Sequence, residues 1–325
     1  MIGMPNINGS HVLTGQVSHH LQQATFAIRS ISMSPVAMSV TLLGTGAPPP
    51  RMDRFGPSTL VEIGDEKFVF DCGRGVAQRL LQLGVPFTSV DRLFLTHLHS
   101  DHLVGIPDLY LTGWIFGRQI PFRVWGPEGT QQMMHHLQQA FQADIHIRRD
   151  LDEEFSAEGI KVVTQEIQEG VVYEEKGVRI IAFDVDHRPV EPALGFRIEY
   201  EGKSVVLSGD TKFSENLIRF ADGADLLVHE VCAPENMRDL VRRSNPARAE
   251  TTERIIDHHT TPEQAGEIFS RTRPKLAVYS HIVGPPDSDD ELLAGTKSTY
   301  SGVFEIGDDL MTIDVGEEVC VRGKS

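Results

Sequence analysis

The chain of 325 residues is poor in several features that would place it at once. It has no apolar run near the ~18 residues that a membrane-spanning helix needs, so a span across a bilayer is not expected. Cysteine is scarce: Cys72, Cys232 and Cys320 lie far apart and are odd in number. That pattern argues against a disulfide framework and suits a reducing, cytoplasmic setting. Basic residues are outnumbered, 30 Lys and Arg against 46 Asp and Glu, for a formal net charge of −16. Such a field repels phosphate backbones and weighs against a general nucleic-acid binder, while leaving room for a local basic patch. There is no low-complexity segment and no repeat at a fixed period. What remains, 40% hydrophobic and 23% charged residues, is the composition of an ordinary globular protein.

Residues 1–22 are polar, and the apolar stretch after them is broken by Arg29, Ser30, Ser32, Ser34 and Pro35. No secretory core of roughly 7–15 apolar residues forms. Residues 1–38 read equally as an arm, a dimerisation element of a homodimer, or an overlong start. Residues 39–325 read as one domain in which strands alternate with helices. Ser39–Leu43 is strand-like; Thr59–Ile63 and Lys67–Asp71 flank Gly64-Asp65 as a hairpin, and Phe196–Tyr200 and Ser204–Leu207 flank Glu201-Gly202 as another. Gly75–Leu83 has helical spacing with Gly84 as its stop. Thr261, Pro262 and Gln264 supply a cap, a first-turn proline and a capping-box partner. Asp150–Glu158 and Gly284–Asp290 read as solvated loops.

The chemistry concentrates in Thr96-His97-Leu98-His99-Ser100-Asp101-His102, directly after the apolar Leu93–Leu95. In extended backbone His97 and His99 share a side, because side chains alternate with period two. Asp101 and His102 fall at the following turn and face a second point. Two imidazoles then aim at one cation, and a carboxylate with a third imidazole at its neighbour. Zinc takes about four ligands, so one segment cannot close two sites. Further candidates stand where strands empty into loops: His187 after Ile180–Val185, Asp210 after Ser204–Leu207, and His281 after Leu276–Tyr279. His135, His136, His146, His19 and His20 have no such context.

The His-x-His-x-Asp-His motif, Asp186-His187, Ser208-Gly209-Asp210-Thr211 and His281 together resemble the metallo-β-lactamase superfamily. The resemblance runs from about residue 39 to the C-terminus in the family's order, and it implies an α/β fold: an αβ/βα sandwich of two mixed sheets flanked by helices. It also implies that His97, His99 and His187 bind one ion, that Asp101, His102 and His281 bind the other, and that Asp210 bridges. Secreted β-lactamases of this fold often carry cysteine at the bridging position; this chain has Asp210. An all-nitrogen-and-oxygen set suits two zinc ions and also accommodates manganese or iron.

Two branches of the superfamily compete. His187–Arg197, Gly202–Thr211, Ser214–Leu217, Ala224–Glu230 and Tyr300–Met311 resemble the arylsulfatase-like branch. The ribonuclease Z branch shares His229-Glu230 and a His259-Thr-Thr motif ahead of a helix, and the resemblance makes Glu230, His229 and His259 candidates beside the metals. That branch carries a long tRNA-clamping arm between the motifs occupied here by His187 and Asp210. Asp210 follows His187 by only 23 positions, and a hairpin fills the interval. The arm is missing. The expected reaction is hydrolysis by a hydroxide bridging two divalent ions, whose bound water is acidic enough to ionise near pH 7. Asp101 is expected to ligate and to orient that nucleophile, and His259 to assist the leaving group. Aryl sulfates and phosphodiesters lead as small-molecule ester substrates, with tRNA 3′ processing, β-lactam or lactone hydrolysis, and a di-iron sensor as alternatives. Selectivity is assigned to the loops Pro48–Phe55, Asp108–Arg118 and Val283–Tyr300, with Arg51, Arg54 or Arg118 pairing an anionic ester.

Overall fold

The computed structural model describes residues 36–323. The expected arm over residues 1–38 lies, but for its last three residues, outside them; Val36 and Ala37 lead into the first strand and Met38 already belongs to it. The first half of the chain runs β1 (Met38–Gly44), β2 (Ser58–Ile63), β3 (Glu66–Phe70), α1 (Val76–Leu83), β4 (Arg92–Phe94), α2 (Ile106–Ile115), β5 (Phe122–Gly126), α3 (Thr130–Ala140), α4 (Gln142–His146) and β6 (Val162–Glu166). The second half begins with β7 (Gly170–Glu175), β8 (Val178–Asp184), β9 (Leu194–Tyr200), β10 (Lys203–Leu207), α5 (Glu215–Ala221) and β11 (Leu226–Cys232). It ends with α6 (Pro234–Ser244), α7 (Ala249–Ile256), α8 (Pro262–Thr272), β12 (Leu276–Val283), α9 (Asp289–Thr299), β13 (Phe304–Ile306), β14 (Thr312–Val315) and β15 (Val319–Val321).

The strands form two mixed sheets, ordered β15-β14-β1-β2-β3-β4-β5-β6 and β13-β12-β11-β10-β9-β8-β7 among the described residues. In each, an antiparallel part joins a parallel part, β3 to β6 in one and β10 to β13 in the other. Alternation along each strand decides which side chains fill which layer. Phe68, Phe70 and Phe94 of the first sheet face Ile180, Phe196, Ile198 and Val205 of the second, closing the space between the sheets. Phe70 stacks on Phe94 at 5.1 Å and Phe94 meets Phe196 edge-on at 5.9 Å. The intervening Leu60, Val69 and Leu93 turn outward and are covered by Val76 and Leu80 of α1 and Leu109 and Trp114 of α2. On the other side Val206, Leu227 and Ala277 are covered by Leu217 of α5, Ile268 and Phe269 of α8, and Leu292 of α9. Strands β10 to β12 are buried on both faces, which is why they read as near-continuous apolar runs. This is the αβ/βα sandwich.

Local signals in the sequence have their structural counterparts. Glu201 and Gly202 both take positive φ, 48° and 73°, as a two-residue hairpin turn demands. Thr261 and Gln264 form both halves of the capping box on α8. Two expected loops contain helices instead. Asp108–Arg118 is mostly α2, whose start at Gly105 has no side-chain cap to announce it. Val283–Tyr300 holds α9, whose first turn carries Asp289, Asp290 and Glu291. Acidic residues there favour the positive end of a helix rather than a solvated coil.

Candidate metal centre

The turns leaving β3, β4, β8 and β10 meet at one edge of the sandwich, where the carboxyl ends of parallel strands open a crevice; His281, expected just past a strand, lies instead within β12, where the register with β11 shifts. Backbone proximity holds the turns there. Cys72 N–H donates to the His102 carbonyl at 2.7 Å, and Gly105 N–H to the Cys72 carbonyl at 2.8 Å. A Cβ on Gly105 would lie 2.2 Å from the Gly73 carbonyl oxygen, and one on Gly73 would lie 2.4 Å from the Gly56 carbonyl carbon. Only glycine permits that approach. Cys72 is enclosed in this packing, and burial pushes its thiol up, so it is no nucleophile.

Seven predicted side chains converge. His97, His99, His187 and Asp210 each offer an atom within 4.8 Å of the others, as do Asp101, His102 and His281; a third set joins Asp210, His259 and His281. Asp210 Oδ2 lies at the centre: 3.8 Å from His97 Nε2, 3.4 Å from His102 Nε2, 3.9 Å from His187 Nε2 and 3.4 Å from His281 Nε2. Asp101 Oδ2 is 3.3 Å from His281 Nε2. Among buried side-chain atoms without a hydrogen-bond partner are His97 Nε2, His102 Nε2 and Asp210 Oδ1. Buried polar atoms are rarely left unpaired, and three in one cluster fit a bound cation. The donor set is imidazole and carboxylate, which suits zinc, with manganese and iron also within its range.

The electrostatics agree. Burial holds His97 well below the usual imidazole range and brings His187 down to about 4, so both rings are neutral donors. Burial works against ionised Asp210, but His281, His102 and His97 around it outweigh burial and keep the carboxylate charged. At His102 burial opposes charge too, yet Asp210 and Asp71 raise its affinity for a proton, as they would for a cation.

A supporting layer fixes the tautomers. His102 Nδ1 donates to Asp71 Oδ2 at 2.8 Å. Asp71 Oδ1 accepts from Thr96 N–H at 2.9 Å, and the Thr96 hydroxyl lies 2.9 Å from His97 Nδ1. His187 Nδ1 donates to the His258 carbonyl at 2.9 Å. Asp71 and His281 both sit at positive φ, 56° and 44°, unusual for residues other than glycine and a mark of functional sites.

Glu230 is buried beside the cluster. Its Oε1 accepts from Thr211 N–H, from Thr260 N–H and from His259 Nδ1, at 3.0, 3.1 and 3.1 Å. Burial pushes its carboxyl well above the usual range, and burial brings His259 down to about 4. His229 contributes no atom to the three metal-type groups; its Nδ1 donates to the Glu230 carbonyl and its ring meets Phe269 edge-on. The structure thus places it under Glu230, not at the centre. His135, His136 and His146 lie on and just after α3, apart from the cluster.

The arginines expected to meet an anionic ester are otherwise engaged. Arg54 is spent on the Thr45 hydroxyl, the Gly307 carbonyl and Asp308. Arg118 is 1% exposed and donates to the carbonyls of Tyr110 and Gly159, and Arg51 pairs with Asp53. Trp114 is buried in the outer core rather than beside the metals. Sequence reasoning missed Thr96 and the His258 carbonyl as supports. Thr96 was legible as the neighbour of His97, but a backbone carbonyl carries no sequence signal.

Comparison with known proteins gives the family. Residues 66–282 match the family model described as the β-lactamase superfamily domain. A protein named ribonuclease Z from Mycolicibacterium gilvum is 38% identical over 290 residues, 88% of this chain and 99% of its own. A ribonuclease Z of Mycobacterium bovis is 36% identical over 283 residues, 86% of this chain and 98% of its own. Among solved structures, the metallo-β-lactamase fold protein YhfI of Bacillus subtilis superposes with TM-score 0.65 at 20% identity, covering 85% of this chain and 98% of that one. The short form of human tRNase Z gives TM-score 0.62 at 20% identity, covering 85% and 99%. The chain is a metal-dependent hydrolase that belongs to the metallo-β-lactamase superfamily, on its ribonuclease Z-like branch.

Proposed function

We propose that the chain is a phosphodiesterase of the ribonuclease Z type, cutting precursor tRNA near its 3′ end. The observation that carries the reading is the His259–Glu230 pair against the cluster. Glu230 Oε1 is fixed by two backbone N–H groups and holds His259 Nδ1, which leaves Nε2 free to face the centre. In this reading His97, His99, His187 and Asp210 would hold one zinc ion and Asp101, His102 and His281 the other, with Asp210 close enough to His281 to serve both. Two divalent ions there would supply Lewis acidity at the phosphoryl oxygens and lower the pKa of an attacking water. Asp101 orients that water and takes up its proton. The water oxygen bonds to phosphorus as the bond to the leaving ribose oxygen breaks; the proton that Asp101 takes up passes to His259 Nε2, bare while Nδ1–H is held by Glu230, and from there to the leaving oxygen. His229 positions Glu230 and so acts through it.

The reading moves RNA ahead of aryl sulfates, which were expected to lead. The relatives' printed names support this order, and Arg54 and Arg118, two of the three arginines expected to select a small anionic ester, are buried and held by carbonyl oxygens. The test compares kcat/KM of zinc-loaded protein on a precursor tRNA with a 3′ trailer, on bis(p-nitrophenyl) phosphate and on p-nitrophenyl sulfate. Cleavage at the trailer with the sulfate poorest supports the proposal. Sulfate turnover without RNA cleavage overturns it.

A further inference from the structure

We propose that the corner between α6 and α7 is the RNA-docking element of this enzyme, gripping backbone phosphates through Arg242, Arg243 and Arg248. The inference rests on the ribonuclease reading above and asks how so acidic a chain holds RNA with no inserted arm between His187 and Asp210.

Residues 242–250 are exposed without a break, so this corner projects from the molecule. Between Arg238 and Arg248 the chain carries four arginines and one carboxylate, Asp239, inside a protein of net charge −16. Asp239 is shared by Arg242 and Arg243, and one carboxylate cannot neutralise both. Arg238, nearer the root, is occupied by Glu235 and Glu253. Arg248 has no carboxylate partner among the described contacts. Exposed ion pairs are worth little, about 0–1 kcal/mol, so a polyanion displaces them readily. A solvated helix corner held by i,i+4 pairs would need its charges balanced. The tip of this one is not balanced.

The placement ties the corner to the reaction. Its strand of origin, β11, carries Glu230, and α7 leads directly into His258 and His259. Met237 of α6 and Ile255 and Ile256 of α7 pack on Cys232, Ala47 and Val283, so the root is fixed against the loop after β1 and the end of β12 two residues past His281. A groove of about 200 Å³ runs between the two helices, lined by Arg238, Val241, Arg242, Pro246 and Thr252. An α-helix of 11 residues is about 16 Å long. A nucleic acid engaged at the centre can therefore reach the tip, whereas a nitrophenyl ester cannot touch both. The arginine fork suits phosphate oxygens, with two parallel N–H donors to each.

The experiment uses full-length zinc-loaded protein and the triple variant Arg242→Gln, Arg243→Gln, Arg248→Gln, with thermal unfolding to establish that both fold alike. A second variant, Arg219→Gln with Arg273→Gln, removes two exposed cations far along the chain from the corner. The readouts are Kd for the precursor tRNA at several salt concentrations, and kcat/KM for RNA and for bis(p-nitrophenyl) phosphate. Three lost phosphate contacts should weaken RNA binding on the order of 10- to 100-fold near 0.1 M salt. They should also reduce the slope of log K against log salt by about 2–3. Kcat/KM should fall far more for RNA than for the small ester, and the Arg219/Arg273 variant should bind RNA as the parent does. A triple variant that binds and cuts RNA like the parent overturns the docking role while leaving the nuclease reading intact. Equal losses in both arginine variants also overturn it, since bulk charge would then suffice. A parent protein that hydrolyses the ester but neither binds nor cuts RNA overturns both proposals.

Discussion

Replacing Asp71 with asparagine tests how the supporting layer sets the metal centre. Asp71 is not among the clustered ligands, yet its two oxygens receive three donors: Thr96 N–H, the Thr96 hydroxyl and His102 Nδ1–H. Asparagine keeps the shape and tolerates the left-handed φ of 56°, so the backbone is not disturbed. It offers one acceptor oxygen and one NH₂. If the oxygen keeps Thr96 N–H, the NH₂ faces His102 Nδ1–H, donor against donor. The ring relieves this by moving its proton to Nε2, the atom 3.4 Å from Asp210 Oδ2 that should ligate. Hydrogen bonds to a charged group are worth about 1.5–3 kcal/mol, and loss of such supports weakens metal binding about 10–100-fold. We expect the second zinc ion to bind about 10–100-fold more weakly, measured by competition with a chromophoric chelator, while the first changes little. Asp71→Ala should add a loss of stability in the metal-free protein. Zinc affinity within twofold of the parent in Asp71→Asn would refute the tautomer argument.

Four further outcomes follow from the same geometry. His259→Ala should retain close to two zinc ions by elemental analysis and lose about 10²–10⁴-fold in RNA turnover, less on esters with good leaving groups; loss of metal instead would make His259 a ligand. Asp210→Ala should lose both metal and hydrolysis, because its Oδ2 lies within 4 Å of four imidazoles; a fully active metal-free variant would refute the centre. In metal-free protein, burial holds His229 and His259 at about 4 against about 6.5 when unfolded. The unfolded chain then binds more protons between those values, so stability is full above about pH 6.5 and falls as pH drops toward 4. A melting temperature that rises on acidification across that window would contradict it. Gly105→Ala should lower stability by about 1–3 kcal/mol and loosen metal binding, since its Cβ would meet the Gly73 carbonyl oxygen at 2.2 Å; an unchanged urea midpoint would show that the turn can yield.

Much of this was legible in the chain because period and residue type carried it. The alternation that sends Phe68 and Phe70 inward and Val69 outward is visible in five residues. The capping box at Thr261 and the turn at Glu201-Gly202 are written in side chains with specific backbone demands. The run from His97 to His102 was likewise readable, because so few structural roles call for four such side chains in six residues, whereas His281, expected at a strand end, lies within β12. What failed to show has a common cause. Helix α2 starts at an uncapped glycine, α9 starts on charges that also suit a coil, and the supports from Thr211 N–H, Thr260 N–H and the His258 carbonyl are backbone atoms.

Charge shows the same limit from another side. A net charge of −16 is a sum over the surface, and a sum says nothing about where a polyanion lands. Screening confines each charge to about 8–10 Å at physiological salt, so a phosphate at the α6–α7 corner feels Arg242, Arg243 and Arg248 and little of the distant acidic faces. On the docking proposal the acidic remainder acts by exclusion, leaving an RNA few other places to rest and favouring one orientation over many weak ones. Weighing the whole-chain charge against nucleic acid was sound for a uniform surface. Under that proposal it gives way at one projecting corner, where cations are collected on a segment that joins Glu230 to His259 along the chain.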